Sequence, residues 1–344
     1  MNSQFSQLLK QTSRSFYLTL RVLPAAVRPQ IGLAYLLART SDTIADTELV
    51  PLDQRLKALQ TFRERMSDLT LVPLDFGELG RCQAAPAERA LLEQAERSVG
   101  YLRTLASADL EWVRTLLNTI IGGQELDLRR FAGASAQNIV ALQTDADLDD
   151  YTYRVAGCVG EFWTRLCRAH LFPRAQADDA QLLADGVRFG KGLQLANILR
   201  DLPADLRQYR CYLPAERLAG FGLRPADLLK RENEPRLRPL YNEYLDRAQA
   251  HLAAGWAYAN ALPRGQVRVR LACAWPILIG MRTLARLRSA TVLDAAQRVK
   301  ISRAEVRGIL LRSLVRLPCR RAWARQFEAE SNAGKAVASG RDLP

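Results

Sequence analysis

The sequence predicts an all-α protein, and three observations carry that expectation. Leu, Ala and Arg dominate the 344 residues, all of them strong helix formers, while alternating β-branched runs are scarce. Apolar residues recur at helical spacing over nine stretches. The breaks between them fall where Pro, Gly or Asp cluster.

In chain order, the spacing predicts helices over 30–45 and 54–69, then a break over 72–86. Helices over 87–105, 110–131 and 151–170 follow, and a second break covers 173–178. A helix over 180–199 leads to a break at 214–225, and one over 237–262 ends at the Pro-Gly turn 262–265. The last two are 267–287 and 303–330. Repeats of fixed period, Gly-rich phosphate loops and long linkers are lacking, so a single domain is expected over 1–330. The small, polar stretch 331–344 reads as a disordered tail.

Composition sets several classes aside. Six cysteines without a CxxC pair read as reduced cytosolic thiols, and two histidines without HExxH exclude a His-rich zinc site. The polar start is no signal peptide. The longest apolar run, 271–281, has eleven residues where a bilayer span takes roughly 20. A cytoplasmic protein, at most peripheral to a membrane, is expected. The net charge of +13 suggests an anionic partner, but its placement narrows the choice. Of 49 basic and 36 acidic residues, 17 and 5 lie from Arg264 onward, so the preceding part carries only +1. A nucleic-acid-binding protein would explain that surplus but not the polar motifs of the neutral part, and no nucleic-acid partner is expected.

Those motifs are two acidic pairs of the same spacing, Asp42-x3-Asp46 and Asp201-x3-Asp205. On a helix, positions i and i+4 lie about 40° apart, so each pair presents two carboxylates on one face. Such like charges repel, which an isolated helix does not reward. A hard divalent cation is the natural reason for them, since Mg²⁺ takes one or two carboxylates together with substrate phosphates. Tyr35, Arg39, Asp42 and Asp46 fall within roughly 60° of one another. Gln194, Asn197, Asp201 and Asp205 fall within about 80° if the helix continues past Pro203, whose missing amide threatens that continuation. Both stripes are polar within apolar surroundings, as a lined cavity requires.

Ser13-Arg14-Ser15-Phe16-Tyr17 followed by Tyr35-x3-Arg39-x2-Asp42-x3-Asp46 resembles the N-terminal signature of the squalene/phytoene synthase family. Tyr151-x3-Val155-Ala156-Gly157-x2-Gly160 and Gln194-x2-Asn197-x2-Arg200-Asp201-x3-Asp205 resemble its two central signatures, all in family order. The resemblance implies the all-α isoprenoid synthase bundle with a central active-site cavity and prenyl diphosphates as substrates. It implies Mg²⁺ ligands at Asp42, Asp46, Asn197, Asp201 and Asp205, and diphosphate contacts from Ser13, Arg14, Ser15, Arg39, Gln194 and Arg200. Phe16, Tyr35 and Tyr151 would line the cavity in which a carbocation forms, with Arg39 beside them. Val155, Ala156, Gly157 and Gly160 would leave room for prenyl chains, although small residues serve close helix packing equally well. Asp127 stands where the family carries a further polar residue.

Cys273-Ala274-Trp275-Pro276-x6-Thr283-Leu284-Ala285 resembles a segment that the family's reductive members carry, which implies NADPH near Cys273 and Pro276. The expected reaction is Mg²⁺-dependent head-to-head condensation of two farnesyl diphosphates through presqualene diphosphate, then reduction to squalene. A non-reductive dehydrosqualene or phytoene synthase is the alternative. The basic stretch 303–325, with Ile309, Leu310, Leu314, Leu317 and Trp323 among its arginines, reads either as a peripheral membrane-binding face or as a packed surface helix. The sequence does not indicate an oligomeric state.

Overall fold

A computed structural model describes residues 3–12, 16–294, 296 and 299–338, with the backbone alone for 3–6, 16–18 and 333–338. The described chain is helical almost throughout, as its composition predicts, and falls into two compact units.

The first unit is drawn from Met1–Ala132 and Glu161–Ala175. It contains α1 (Ser3–Thr12), α2 (Phe16–Val22), α3 (Arg28–Asp46), α4 (Leu52–Ser67), α5 (Gly77–Arg81), α6 (Pro86–Glu93), α7 (Ala95–Gly100) and α8 (Ser107–Arg130). Most of α10 (Cys158–Leu171) belongs here too. Helix α3 starts where Pro29 fits the first turn, whose amides have no helical partner. It is wrapped by apolar neighbours: Leu36, Leu37 and Ile44 are fully buried, as are Leu59 and Phe62 on α4 and Leu117 and Ile121 on α8. The buried Asp109 on α8 accepts from Gln30 Nε2 at 3.0 Å and pairs with His170 Nε2 at 2.7 Å. The helix expected over 87–105 is instead α6, α7 and a tight turn at Tyr101–Thr104, because the backbone leaves helical geometry at Gln94.

The second unit, from Gly133–Gly160 and Gln176–Pro344, is built on α11 (Asp179–Arg207). Preceding α11 are α9 (Asp145–Thr152), capped by Thr144 and Asp147, and a π-helical turn at Tyr153–Gly157 that leads into α10. Following it are α12 (Ala215–Gly220), α13 (Glu234–Ala261), α14 (Val267–Ser289), α15 (Arg303–Arg316) and α16 (Arg320–Ala338). The sheet content is β1 (Val140–Ala141) paired in parallel with β2 (Arg210–Cys211).

Two expectations are corrected in this unit. The helix predicted over 303–330 divides into α15 and α16 around Pro318, which has no amide to donate to the preceding turn. The tail expected from 331 is helical to Ala338, while 339–344 lie outside the described residues. The segment is held by its own packing: Glu330, 1% exposed, pairs with Arg282 at 2.5 Å and Arg312 at 3.1 Å, and Trp256 stacks on Trp323 and Phe327. No disulfide joins the six cysteines. Among the described residues, no helix is long and apolar enough to cross a membrane.

Candidate active site

Helix α3 shows its stripe as the spacing requires. Tyr35, Arg39 and Asp42 are half-buried and Asp46 is exposed, whereas Leu36, Leu37, Thr40, Ser41, Thr43, Ile44 and Ala45 are buried around them. Arg39 pairs with Asp42 one turn on and with Glu88 of α6 at 2.6 Å. Burial opposes its charge, but Asp42 and Glu88 outweigh that cost and raise its pKa above the ordinary arginine value. The guanidinium therefore holds Asp42 from one side and is itself fixed from the other. Glu88 was not legible in the sequence, because nothing in its spacing from Arg39 marks it. Tyr35 donates its hydroxyl to the Thr12 carbonyl at 3.3 Å. Asp127 is half-buried on α8. Ser13, Arg14 and Ser15 lie outside the described residues, and of Phe16 only its place at the start of α2 is described.

In the second unit Gln194, Asn197, Arg200, Asp201 and Asp205 all lie on α11, which runs through Pro203 to Arg207. Asn197 is exposed and the other four are half-buried. Arg200 grips Asp201 with both nitrogens, Nε to Oδ1 at 3.0 Å and Nη2 to Oδ2 at 2.5 Å. The proline leaves the Leu199 carbonyl without its usual i+4 amide donor. Tyr241 of α13, 0% exposed, supplies a hydroxyl to that carbonyl at 2.8 Å. Thus a buried tyrosine replaces the missing backbone bond midway between Asp201 and the turn before it, and the acidic pair stays on one helix face. Pro203 signals that such a donor is needed; the sequence does not say which residue provides it.

The VAG segment forms the π-helical turn, with Val155 and Ala156 half-buried and Gly157 buried. A Cβ on Gly160 would stand 1.8 Å from the Gly186 carbonyl oxygen, and one on Gly190 would stand 2.1 Å from that of Ala156. At Gly160 the expected room for a prenyl chain is therefore taken by the backbone of α11, and the glycine serves helix packing. Tyr151 stacks on Tyr212 with centroids 4.7 Å apart.

Beside it lies an ionic cluster that sequence reading missed. Lys191 pairs with Asp149 at 2.7 Å, Arg247 reaches Asp145 at 3.1 Å and Asp149 at 3.3 Å, and Tyr244 donates to Asp145 at 2.8 Å. Burial works against the Asp149 charge, but Lys191 and Arg247 hold its pKa below the usual carboxylate value.

The acidic stripes fit Mg²⁺ in one particular way. Each supplies two hard carboxylate donors on one face, and among the described residues no three acidic, His or Cys groups gather into a closed cage. That donor set suits an ion completed by substrate phosphate oxygens. NADPH is different. Cys273 is 1% exposed within α14 between buried Ala272 and Ala274, so it offers a dinucleotide no surface. Cys273 therefore does not itself fit the role expected of it, whereas Pro276, nearly one turn on, is half-buried.

Solved squalene synthases share this helical fold. TcSQS bound to the ligand E5700 superposes with a TM-score of 0.74 at 21% identity, covering 96% of this chain and 97% of that one. The squalene synthase HpnC of Alicyclobacillus acidocaldarius gives 0.59 at 21% identity over 83% and 94%. A family model for squalene/phytoene synthase matches residues 9–305, and the chain belongs to that family, whose members are prenyltransferases of isoprenoid biosynthesis.

Relatives of several activities are similar to it. The presqualene diphosphate synthase of Rhodopseudomonas palustris is 31% identical over 254 residues, 74% of this chain and 77% of that protein. The squalene synthase of Schizosaccharomyces pombe is 26% identical over 313 residues, 90% and 64%. The bifunctional lycopene cyclase/phytoene synthase of Gibberella fujikuroi is 29% identical over 272 residues, 76% and 44%. The chain thus spans less than half the length of that bifunctional relative.

Proposed function

We propose that the protein condenses two farnesyl diphosphates head to head to presqualene diphosphate. The observation that carries this reading is the pair of DxxxD stripes, each on one helix face and each with an arginine fixed to its first aspartate. Asp42 and Asp46 on α3, and Asn197, Asp201 and Asp205 on α11, are the residues that would hold Mg²⁺. Bound there, the metal supplies charge neutralisation to a diphosphate leaving group.

The chain's own residues do the rest. Arg39, Arg200 and Gln194 orient phosphate oxygens through charge-assisted and polar contacts. Breaking the C1–O bond of one substrate releases diphosphate, the double bond of the second attacks the resulting allylic cation, and loss of a proton closes the cyclopropane. A cation of this kind is stabilised by aromatic faces and by the exclusion of water, the role that the family resemblance would give Tyr35 and Tyr151.

Reduction of this product to squalene is the finer reading, favoured by the Cys273–Ala285 resemblance and by similarity to a squalene synthase over 90% of the chain. No step of it is assigned to residues here. The experiment is incubation of purified protein with farnesyl diphosphate and Mg²⁺, with and without NADPH, followed by product extraction. Presqualene diphosphate without NADPH supports the condensation, and squalene appearing only with NADPH supports the finer reading. Accumulation of presqualene diphosphate in both samples, or its replacement by dehydrosqualene, refutes the reduction. Turnover of geranylgeranyl diphosphate alone, giving phytoene, refutes the choice of substrate.

A further inference from the structure

A groove of about 760 Å³ opens between the ends of α14, α15 and α16, and none of the residues lining it belongs to either acidic stripe. Its floor is apolar, with Leu271 buried and Trp323 3% exposed. Its walls carry Arg264, Arg270 and Arg320. None of the three forms an ion pair with a carboxylate among the described residues. Arg270 is half-buried, donates to the Ala259 carbonyl at 3.1 Å and Asn260 Oδ1 at 3.2 Å, and lies 5.9 Å from the Trp323 ring. Burial first, and then the neighbouring charge of Arg264, lower its pKa below the ordinary arginine value. Helices α14 and α16 both begin at this groove, with Val267 and Arg320 on its wall, so their first-turn amides add to the positive field. Uncompensated positive charge over an apolar floor suits a phosphate group carrying a hydrocarbon chain.

The adjoining face of α15 extends the same chemistry. Ile309 and Ser313 are fully buried on its inner side. Leu311 (64% exposed), Leu314 (50%) and Val315 (80%) lie within about 100° of one another on the outer side. Leu314 also lines the groove, so the two features are continuous. Exposed Arg303 and Arg307 precede these residues along the helix on the same outer side. A helix that buries one side in protein and turns leucine and valine outward, with arginines one and two turns before them, has the pattern of an interfacial helix whose arginines can reach lipid phosphates.

We infer that this surface docks on a bilayer containing anionic phospholipid, with the groove taking a lipid phosphate and α15 inserting Leu311, Leu314 and Val315 among the acyl chains. Charge complementarity decides the occupant: the 81 residues from Arg264 carry 17 of the 49 basic residues and 5 of the 36 acidic ones. This inference goes beyond the proposed reaction and does not depend on it.

Sedimentation of the full chain with vesicles of phosphatidylcholine, with and without phosphatidylglycerol, tests it. Binding is expected on the anionic vesicles, weakening with salt and absent on phosphatidylcholine alone. Arg264→Gln with Arg320→Gln is expected to lower partitioning by about fivefold per arginine. Leu311→Ser with Val315→Ser is expected to lower it by about 100-fold or more. All four positions are exposed, so circular dichroism and turnover of dispersed substrate are expected to match the wild type. Absence of the wild-type chain from anionic vesicles at low salt overturns the inference. So does unchanged binding by the leucine–valine variant, which would reduce the surface to a general polyanion site.

Discussion

Tyr241→Phe isolates a single bond on which the second acidic stripe rests. The substitution removes only the hydroxyl that donates to the Leu199 carbonyl at 2.8 Å, in a side chain with 0% exposure. Because Pro203 has no amide, that carbonyl is left buried without its donor, at a cost of about 1–3 kcal/mol. With an unfolding entropy of ~2.1 cal/mol/K per residue over the whole chain, the midpoint falls by about 1–4 °C. The helix also loses its brace where Asp201 and Asp205 straddle the proline, so the Mg²⁺ concentration for half-maximal turnover is expected to rise roughly tenfold.

Thermal unfolding without metal and Mg²⁺ titration of turnover read the two effects separately. Pro203→Ala supplies the control, because an alanine amide can take over the Leu199 carbonyl. In that background Tyr241→Phe is expected to cost about 1 kcal/mol less than alone. Equal unfolding midpoints for wild type and Tyr241→Phe, or no coupling with position 203, would refute the rescue of α11 by Tyr241.

Other substitutions test the remaining pieces. Gly160→Ala places a Cβ 1.8 Å from the Gly186 carbonyl oxygen and is expected to cost about 1–3 kcal/mol or more, read by denaturant unfolding. Gly100→Ala, with open space around it, is the neutral comparison. Asp42→Asn or Asp201→Asn is expected to lower turnover at least about 100-fold while lowering the unfolding midpoint only by the lost pairing with Arg39 or Arg200, worth about 1 kcal/mol, and a chelator is expected to mimic the loss of turnover reversibly; wild-type turnover in either variant refutes the ligand assignment. The His251 pKa is pushed down to about 4 by burial and by Arg188, Arg247 and Lys191. The folded state thus prefers the neutral ring, and stability is expected to fall as pH drops from about 6.5 towards about 4, with His251→Gln flattening that slope in thermal melts. Glu330→Ala removes the buried carboxylate that Arg282 and Arg312 share, leaving Arg282 only Glu305 at 3.5 Å, and is expected to cost about 1–3 kcal/mol in the same assay.

Helix α3 was legible in full, because its stripe depends on the turn angle of a helix and on local residue types alone. The same rule failed wherever a proline or an irregular turn intervened. Pro318 divided what apolar spacing joined over 303–330, while Pro203 did not stop α11. The difference between these prolines lies in what surrounds them. At Pro203 a buried hydroxyl meets the orphaned carbonyl, and at Pro318 the chain turns into a new helix whose Trp323 stacks on Trp256. The VAG segment offered two readings, prenyl-chain space or close packing, and a distance of 1.8 Å at Gly160 selects packing there. Glu88 and the Asp145–Lys191–Arg247 cluster were invisible because ion pairs join positions far apart in the chain.

The sequence by itself determined the helical class, the two aspartate pairs and their family order, since all three follow from composition and short-range spacing. It also located the positive charge in the last quarter of the chain. Only the tertiary structure decided that α11 survives its proline, that Glu88 fixes Arg39 from the neighbouring helix, and that Cys273 is closed to solvent. It alone turned the C-terminal charge into a groove with an apolar floor. The physical reason is common to these cases: burial and hydrogen-bond partnership are properties of neighbours in space, and periodicity reports neighbours only along one helix.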